Sequence, residues 1–245
     1  MTIGLGIVTY NRPHYFAQVA AAVTEHLLDV VDHVYVRNDG SSDEHTEAYD
    51  KAYGLLPPML RLDDSAHNVG VGKSKNELMR WMLDEGCDWL FLSEDDIIPR
   101  GPEAITDYLK ACEASGWQHL SFAHHGPANA GRPLRIDGLV TYWPNSVGAW
   151  CVYSAASIRG AGFMDERFLN SWEHVEHTQR LAQHGYTSEW PLNADATNSR
   201  WWLNEIPGSI EGSAIRHSEE WTANMRAGRE YWRATKPDTY HKIWP

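Results

Sequence analysis

The sequence predicts an α/β protein with a mixed, mostly parallel sheet flanked by helices. Two observations carry this. Short apolar runs alternate with helix-length segments through the first hundred residues, the pattern of a parallel sheet covered on both faces. Each run also ends in polar residues: Thr9-Tyr10-Asn11, Asn38-Asp39, Asp63-Asp64 and Glu94-Asp95-Asp96. In a parallel sheet these ends gather on one rim, and such sheets bind ligands outside the carboxyl ends of their strands.

The elements follow in order. "IGLGIVT" (3–9) reads as a buried strand. "RPHYFAQVAAAVTEHL" (12–27) reads as a helix, with Asn11 as its candidate cap and Pro13 in its first turn. "HVYVRND" (33–39) is the next strand, followed by a helix over 43–53. "MLRLDD" (59–64) is a third strand. "GKSKNELMRWMLDEG" (72–86) is a helix that Gly86 stops. "DWLFLS" (88–93) is a strand and "PEAITDYLKACEAS" (102–115) a helix. The second half is less regular. It offers strands at 134–142 and 147–153, a loop "AHHGPANAGRP" (123–133), and helices over 172–185 and 218–234. No internal repeat or low-complexity linker divides the chain.

The 245 residues suit one domain. We expect a nucleotide-binding half over 1–100, an elaborated second half over 101–215, and a C-terminal helical tail over 216–245. Hydrophobic residues make up 42% and charged residues 22%, which supplies a core and argues against disorder. Acidic residues number 33 against 21 basic, a net charge of −12 that makes a poor partner for nucleic acid or an anionic membrane. Three cysteines without a C-x-x-C pair fit a reduced compartment and argue against a disulfide framework or a cysteine zinc site. The N-terminus has no basic n-region, and no apolar stretch approaches the ~20 residues that span a bilayer. A cytoplasmic chain without a transmembrane segment is therefore expected. Twelve tryptophans are many, and those of the second half (Trp143, Trp150, Trp172, Trp190, Trp201, Trp202) serve either packing or sugar stacking.

The chemistry concentrates in "WLFLSEDDIIP" (89–99). Three adjacent carboxylates at the end of an apolar strand repel one another and exceed what helix capping needs. A divalent cation among them relieves that repulsion, and Mn²⁺ or Mg²⁺ prefers carboxylate and phosphate oxygens. The glycines of "NVGVGKSKN" (68–76) permit close backbone approach, and Lys73 or Lys75 can face a phosphate or the acids. This is not a P-loop, because G-x-x-x-x-G-K-[ST] is absent.

Taken with "IVTYNRP" (7–13), "VYVRNDGSSD" (34–43) and "GFMDERFLNSWEHVEHTQRLAQHGY" (162–186), these segments resemble, in order and spacing, the GT-A glycosyltransferases, in particular the inverting family two. The resemblance covers most of residues 3–190 and implies the Rossmann-like fold of nucleotide-diphospho-sugar transferases. It implies a metal-dependent, inverting transfer of a sugar from a nucleotide-diphosphate donor, here expected to be a UDP-sugar, to an acceptor hydroxyl. Asp39 then faces the uracil N3–H. Thr9, Tyr10, Asn11 and Arg12 surround the base. Asn68, Gly70, Lys75 and Asn76 match the family's glycine-rich loop and helix.

Ser93 stands where the common form of the acidic motif has Asp. The local "EDD" resembles instead the variant of animal N-acetylglucosaminyltransferases. Carried over, Asp96 is the main metal ligand, Asp95 the second, and Glu94 lies near ribose or sugar. His217 in "SAIRHS" matches a histidine that often completes such sites, with His124 and His125 as rivals. The family's general base is usually the second acid of an E-D pair at a helix start. Here the pair reads Glu173-His174, so either residue is the candidate base.

Two other readings stay open. A nucleotidyltransferase that makes NDP-sugars shares the fold, but "TYNRP" lacks its glycine-rich, basic first loop. A non-catalytic nucleotide-sugar-binding protein draws support from Ser93 and His174. The acceptor is unspecified, with a glycan or protein favoured over nucleic acid by the net charge.

Overall fold

The first strand explains how the layers pack. The computed structural model describes residues 1–57, 60–213, 215–216 and 218–239. In β1 (Ile3–Thr9), Ile3, Leu5 and Ile7 point to one side of the sheet. Gly4 and Gly6 face the other, where a Cβ would lie 2.7 Å from Met82 and 3.0 Å from Leu78. The two glycines thus let a helix sit directly on the strand. On the opposite face, α1 (Pro13–His26) buries Phe16, Val19, Ala20 and Val23, an i, i+3, i+4, i+7 stripe. Each large apolar side chain buried this way contributes about 1.5–3 kcal/mol.

The chain continues through β2 (His33–Asn38), α2 (Thr46–Tyr53), β3 (Leu60–Asp64), α3 (Val71–Asp84), β4 (Trp89–Glu94), β5 (Ile97–Pro99), α4 (Glu103–Ser115) and β6 (His119–Ser121). Then come β7 (Arg135–Asp137), β8 (Val140–Trp143), β9 (Trp150–Ser154), α5 (Ala155–Ala161), α6 (Glu173–Gln183), β10 (Asn193–Ala196), α7 (Ser199–Trp202), β11 (Leu203–Glu205) and α8 (Glu219–Thr235). The central sheet has the order β3-β2-β1-β4-β9-β6. Its first four strands are parallel, and β9 and β6 run against their neighbours. The sheet is therefore mixed and mostly parallel, as expected. One apolar core lies between the sheet and α1, α2 and α4, a second between the sheet and α3, α5 and α6, and a smaller third joins Phe168, Val175 and Trp232.

Several details correct the expectations. Asn11 does not cap α1, which has no side-chain cap. It sits at φ +52° and ties two strand-end loops together: its backbone N–H donates to Ser41 Oγ and its side-chain Oδ1 accepts from Ser42 N–H. The span 134–142 is a hairpin, β7–β8, turning at Gly138-Leu139. The short strands β5, β6, β10 and β11 escape sequence patterning, because three or four residues show no period. Met59 lies outside the described residues. Of the tryptophans, Trp150 and Trp232 are fully buried, whereas Trp201 is exposed. No helix among the described residues is long and apolar enough to cross a membrane.

Candidate active site

Parallel pairing brings the strand ends together. Thr9 stands opposite Asn38, Asn38 opposite Asp64, and Val8 opposite Glu94. Side-chain parity then decides who meets whom. In β4, Leu90 and Leu92 pack on the α3 side, and Glu94 continues that row at the rim. In α3, Leu78, Met79 and Met82 form the buried stripe, and Lys75 extends it toward the same rim. Two apolar rows end in opposite charges. Lys75 Nζ donates to Glu94 Oε1 at 2.7 Å and to the Gly148 carbonyl at 2.8 Å, and the lysine is fully buried. Burial opposes the charge on both partners. Their attraction outweighs it, raising the lysine pKa and lowering that of Glu94.

The turn after β4 separates the next two acids. Asp95 accepts a 2.7 Å hydrogen bond from Thr9 Oγ1 and pairs with the Arg12 guanidinium. Arg12 also reaches Asp96 Oδ2 at 3.2 Å and the Ser209 carbonyl at 3.4 Å. Asp96 points into a cluster with Glu94 and with His125 from the loop after β6. One ligand atom from each of these three lies within 4.8 Å of the others. His125 Nε2 stands 3.5 Å from Asp96 Oδ2 without hydrogen-bond geometry. Burial disfavours the His125 cation, but Asp96 and Glu94 prevail and raise its pKa.

The donor set fits a divalent cation. Asp96 Oδ1 and His125 Nε2 are buried without hydrogen-bond partners, which is costly for protein alone. Two carboxylates and an imidazole are a common first-row metal environment. The arrangement differs from the expected one: Glu94 and His125 join Asp96, while Asp95 is turned to Arg12 and Thr9. His217 lies outside the described residues.

Across the same cleft, α6 starts at Glu173. The preceding Trp172 adopts φ +66°, which turns the chain into the helix, and its indole N–H donates to the Met225 carbonyl of α8. Glu173 Oε1 lies 3.0 Å from His174 Nδ1, and its buried Oε2 has no hydrogen-bond partner. Burial pushes the Glu173 carboxyl up, but His174 and Lys75 outweigh it and hold its pKa below the usual range. The His174 ring packs on Gly148, where a Cβ would lie 2.6 Å from His174 Cγ. Any larger residue there displaces the imidazole.

The cleft encloses about 470 Å³. Its walls include Thr9, Tyr10, Arg12, Asp39, Glu94, Asp95, Asp96, His125, Glu173 and His174. Asp39 is buried, and its carboxylate accepts from Val69 N–H at 2.9 Å and Gly70 N–H at 3.0 Å. It therefore braces the 68–70 loop as well as facing the cleft. Burial raises its pKa, partly countered by those N–H donors. Asn68 keeps a buried side-chain N–H₂ group without a partner. Asn76 stands apart: its side chain bonds Met164 and Glu166 and borders a second cavity, not this one. Sequence reasoning passed over Gly148, Arg216, Trp221 and Met225, which also line the cleft. Arg216 stands beside His217 in "SAIRHS", and the other three fall in no recognisable motif.

No protein-family model and no curated protein matches the sequence. Solved structures do. The mannosyltransferase PcManGT from Pyrobaculum calidifontis, in complex with GDP-Man and Mn²⁺, superposes with a TM-score of 0.59 at 14% identity, over 77% of this chain and 54% of that one. S. aureus TarS gives 0.60 at 12% identity, over 98% of this chain and 45% of that one. GalNAc-T7 with UDP, GalNAc and Mn²⁺ gives 0.60 at 12% identity, over 76% and 41%. This chain thus spans about half the length of these neighbours. Identities so low speak to architecture alone, and on that the parallel core, the antiparallel strands beside it and the superpositions agree: the chain has the GT-A fold.

Proposed function

We propose that this chain is a metal-dependent, inverting glycosyltransferase acting on a nucleotide-diphosphate sugar, with a UDP-sugar as first choice. The observation that carries the reading is the Glu94–Asp96–His125 cluster sharing one cleft with the Glu173–His174 pair. An activated sugar donor needs its diphosphate neutralised and the acceptor hydroxyl deprotonated. The two sets of groups meet those needs within one cleft.

Glu94, Asp96 and His125 would hold Mn²⁺ in preference to Mg²⁺, because an imidazole nitrogen suits the softer ion. When bound, the ion supplies counter-charge to the leaving nucleoside diphosphate. Arg12 keeps Asp95 and one edge of Asp96 oriented. Asp39, Thr9 and Tyr10 form the nucleobase wall, with Asn11 and Gly70 shaping its loops. The Glu173–His174 pair takes the acceptor proton as the acceptor oxygen bonds to the anomeric carbon. The bond to the phosphate oxygen breaks and its electron pair leaves with the diphosphate. In this reading residues 1–100 bind the nucleotide, 101–215 hold the sugar and acceptor, and the helical tail from 216 lends Trp221 and Met225 to the cleft. The acceptor is a glycan or protein hydroxyl, given a net charge of −12.

The test is nucleoside diphosphate release from a panel of UDP-, GDP- and dTDP-sugars with Mn²⁺, Mg²⁺ or chelator. Mn²⁺-dependent release from at least one donor is expected. A folded chain that neither binds nor cleaves any donor refutes the proposal.

A further inference from the structure

The two groups at the start of α6 differ in what they can do. Glu173 exposes 4% of its side chain and His174 24%, so an acceptor in the cleft reaches the imidazole first. We propose that His174 is the group that takes the acceptor's proton, at Nε2, and that Glu173 is the positioning residue that orients it. This assignment rests on the glycosyltransferase reading above.

The chemistry follows from the 3.0 Å contact between Glu173 Oε1 and His174 Nδ1. An ionised carboxylate only accepts hydrogen bonds, so Nδ1 carries the hydrogen of the neutral ring. The lone pair is then left on Nε2, ready for a hydroxyl proton. Glu173 is kept ionised by its neighbours in spite of burial, which suits it to steady an imidazolium and not to hold a proton itself. Its place in the first turn of α6 also favours negative charge.

The ring is held from below. Gly148 leaves room for it, since a Cβ there would lie 2.6 Å from His174 Cγ, and the Gly148 carbonyl accepts from Lys75 Nζ at 2.8 Å. The same ammonium holds Glu94 of the cation cluster at 2.7 Å. One buried lysine thus sets the relative position of the two halves of the site. The charged and titratable groups facing His174 are Glu173 of its own helix, Lys75 of α3 through its field on Glu173, and His119 of β6. In the step itself the acceptor O–H bond breaks and its proton moves to Nε2. The oxygen bonds to the anomeric carbon, and the bond to the diphosphate breaks with its electron pair.

Two measurements on the full chain test this. The first is ¹⁵N NMR of the histidine rings in the free protein, with His174→Asn identifying the resonances. The Nδ1–H tautomer is expected in the native chain, and Glu173→Gln is expected to abolish that preference. The second is Mn²⁺-dependent nucleoside diphosphate release from the donor the panel selects, with water as acceptor. His174→Ala should lose about 100-fold or more in rate and recover part of it with added imidazole. Its Mn²⁺-dependent nucleotide binding should stay within about twofold of native. Glu173→Gln should lower kcat with little change in KM and move the acid limb of the pH profile. An Nε2–H tautomer in the native chain, or a His174→Ala rate within about threefold of native, overturns the assignment. A native chain that neither binds nor cleaves any donor overturns the transferase reading as well. Turnover that survives loss of His174 overturns the proton assignment alone.

Discussion

Replacing Lys75 with methionine should destabilise the fold and should do so through Glu94. Lys75 is fully buried and bonds Glu94 at 2.7 Å. At that distance two unit charges attract by about 6 kcal/mol at an effective dielectric of ~20, before desolvation is subtracted. Desolvation cancels much of the gain in the intact pair, but removing one partner leaves a partly buried carboxylate without its counter-charge. Such a break costs roughly 3–5 kcal/mol. Adding Glu94→Gln removes the orphaned charge, so the double variant should recover a substantial part of that loss. Urea unfolding of the four proteins gives the coupling directly. The Gly148 carbonyl loses its donor in both variants, so recovery should be partial. A Lys75→Met loss below about 1 kcal/mol, or a double variant no better than the single one, would refute the reasoning.

Three further outcomes are expected. Asp96→Asn and His125→Ala should each weaken Mn²⁺ affinity, read as a smaller Mn²⁺-induced rise in Tm, while Asp95→Asn should mainly disturb the Arg12 pairing and stability. Gly148→Ala should move the His174 ring, because the new Cβ would meet it at 2.6 Å, and lower the transfer rate more than it lowers Mn²⁺ affinity. Acid should destabilise the chain through two buried histidines. Burial chiefly lowers His119 to about 4, and burial with Arg180 lowers His177 to about 3. The unfolded chain therefore binds more protons below pH ~6.5. The stability is fully present above that pH and falls by roughly 2 kcal/mol per histidine by pH 5. The urea midpoint measured from pH 8 to pH 5 checks this, and His177→Gln should flatten the decline.

The strand–helix alternation and the polar strand ends were readable in the chain, since each depends on residues close together. "IGLGIVT" and "DWLFLS" announce themselves by local hydrophobicity, and parallel pairing does the rest. The acids of "SEDD" were equally visible. Their division of labour was not. The turn after β4 sends Asp95 to Arg12 and Asp96 to His125, and a turn's side-chain directions follow from tertiary packing, not from residue type. Lys75 and Asn76 are adjacent and matched the same motif. A helix turns about 100° between them, so Lys75 reaches Glu94 and the Gly148 carbonyl while Asn76 borders a separate cavity.

The same limit applies to His125 and Gly148. His125 is one of several candidate histidines, and it is the insertion of antiparallel β9 between β4 and β6, which leaves β6 running with β4, that carries the loop after β6 to Asp96. Gly148 bore no signal at all, because its significance is the space it leaves for a ring 26 positions later. Local chemistry settles which elements form and which residue types can bind a cation or move a proton. Which of those residues stand within reach of one another depends on long-range pairing and packing, and that information is spread across the whole chain.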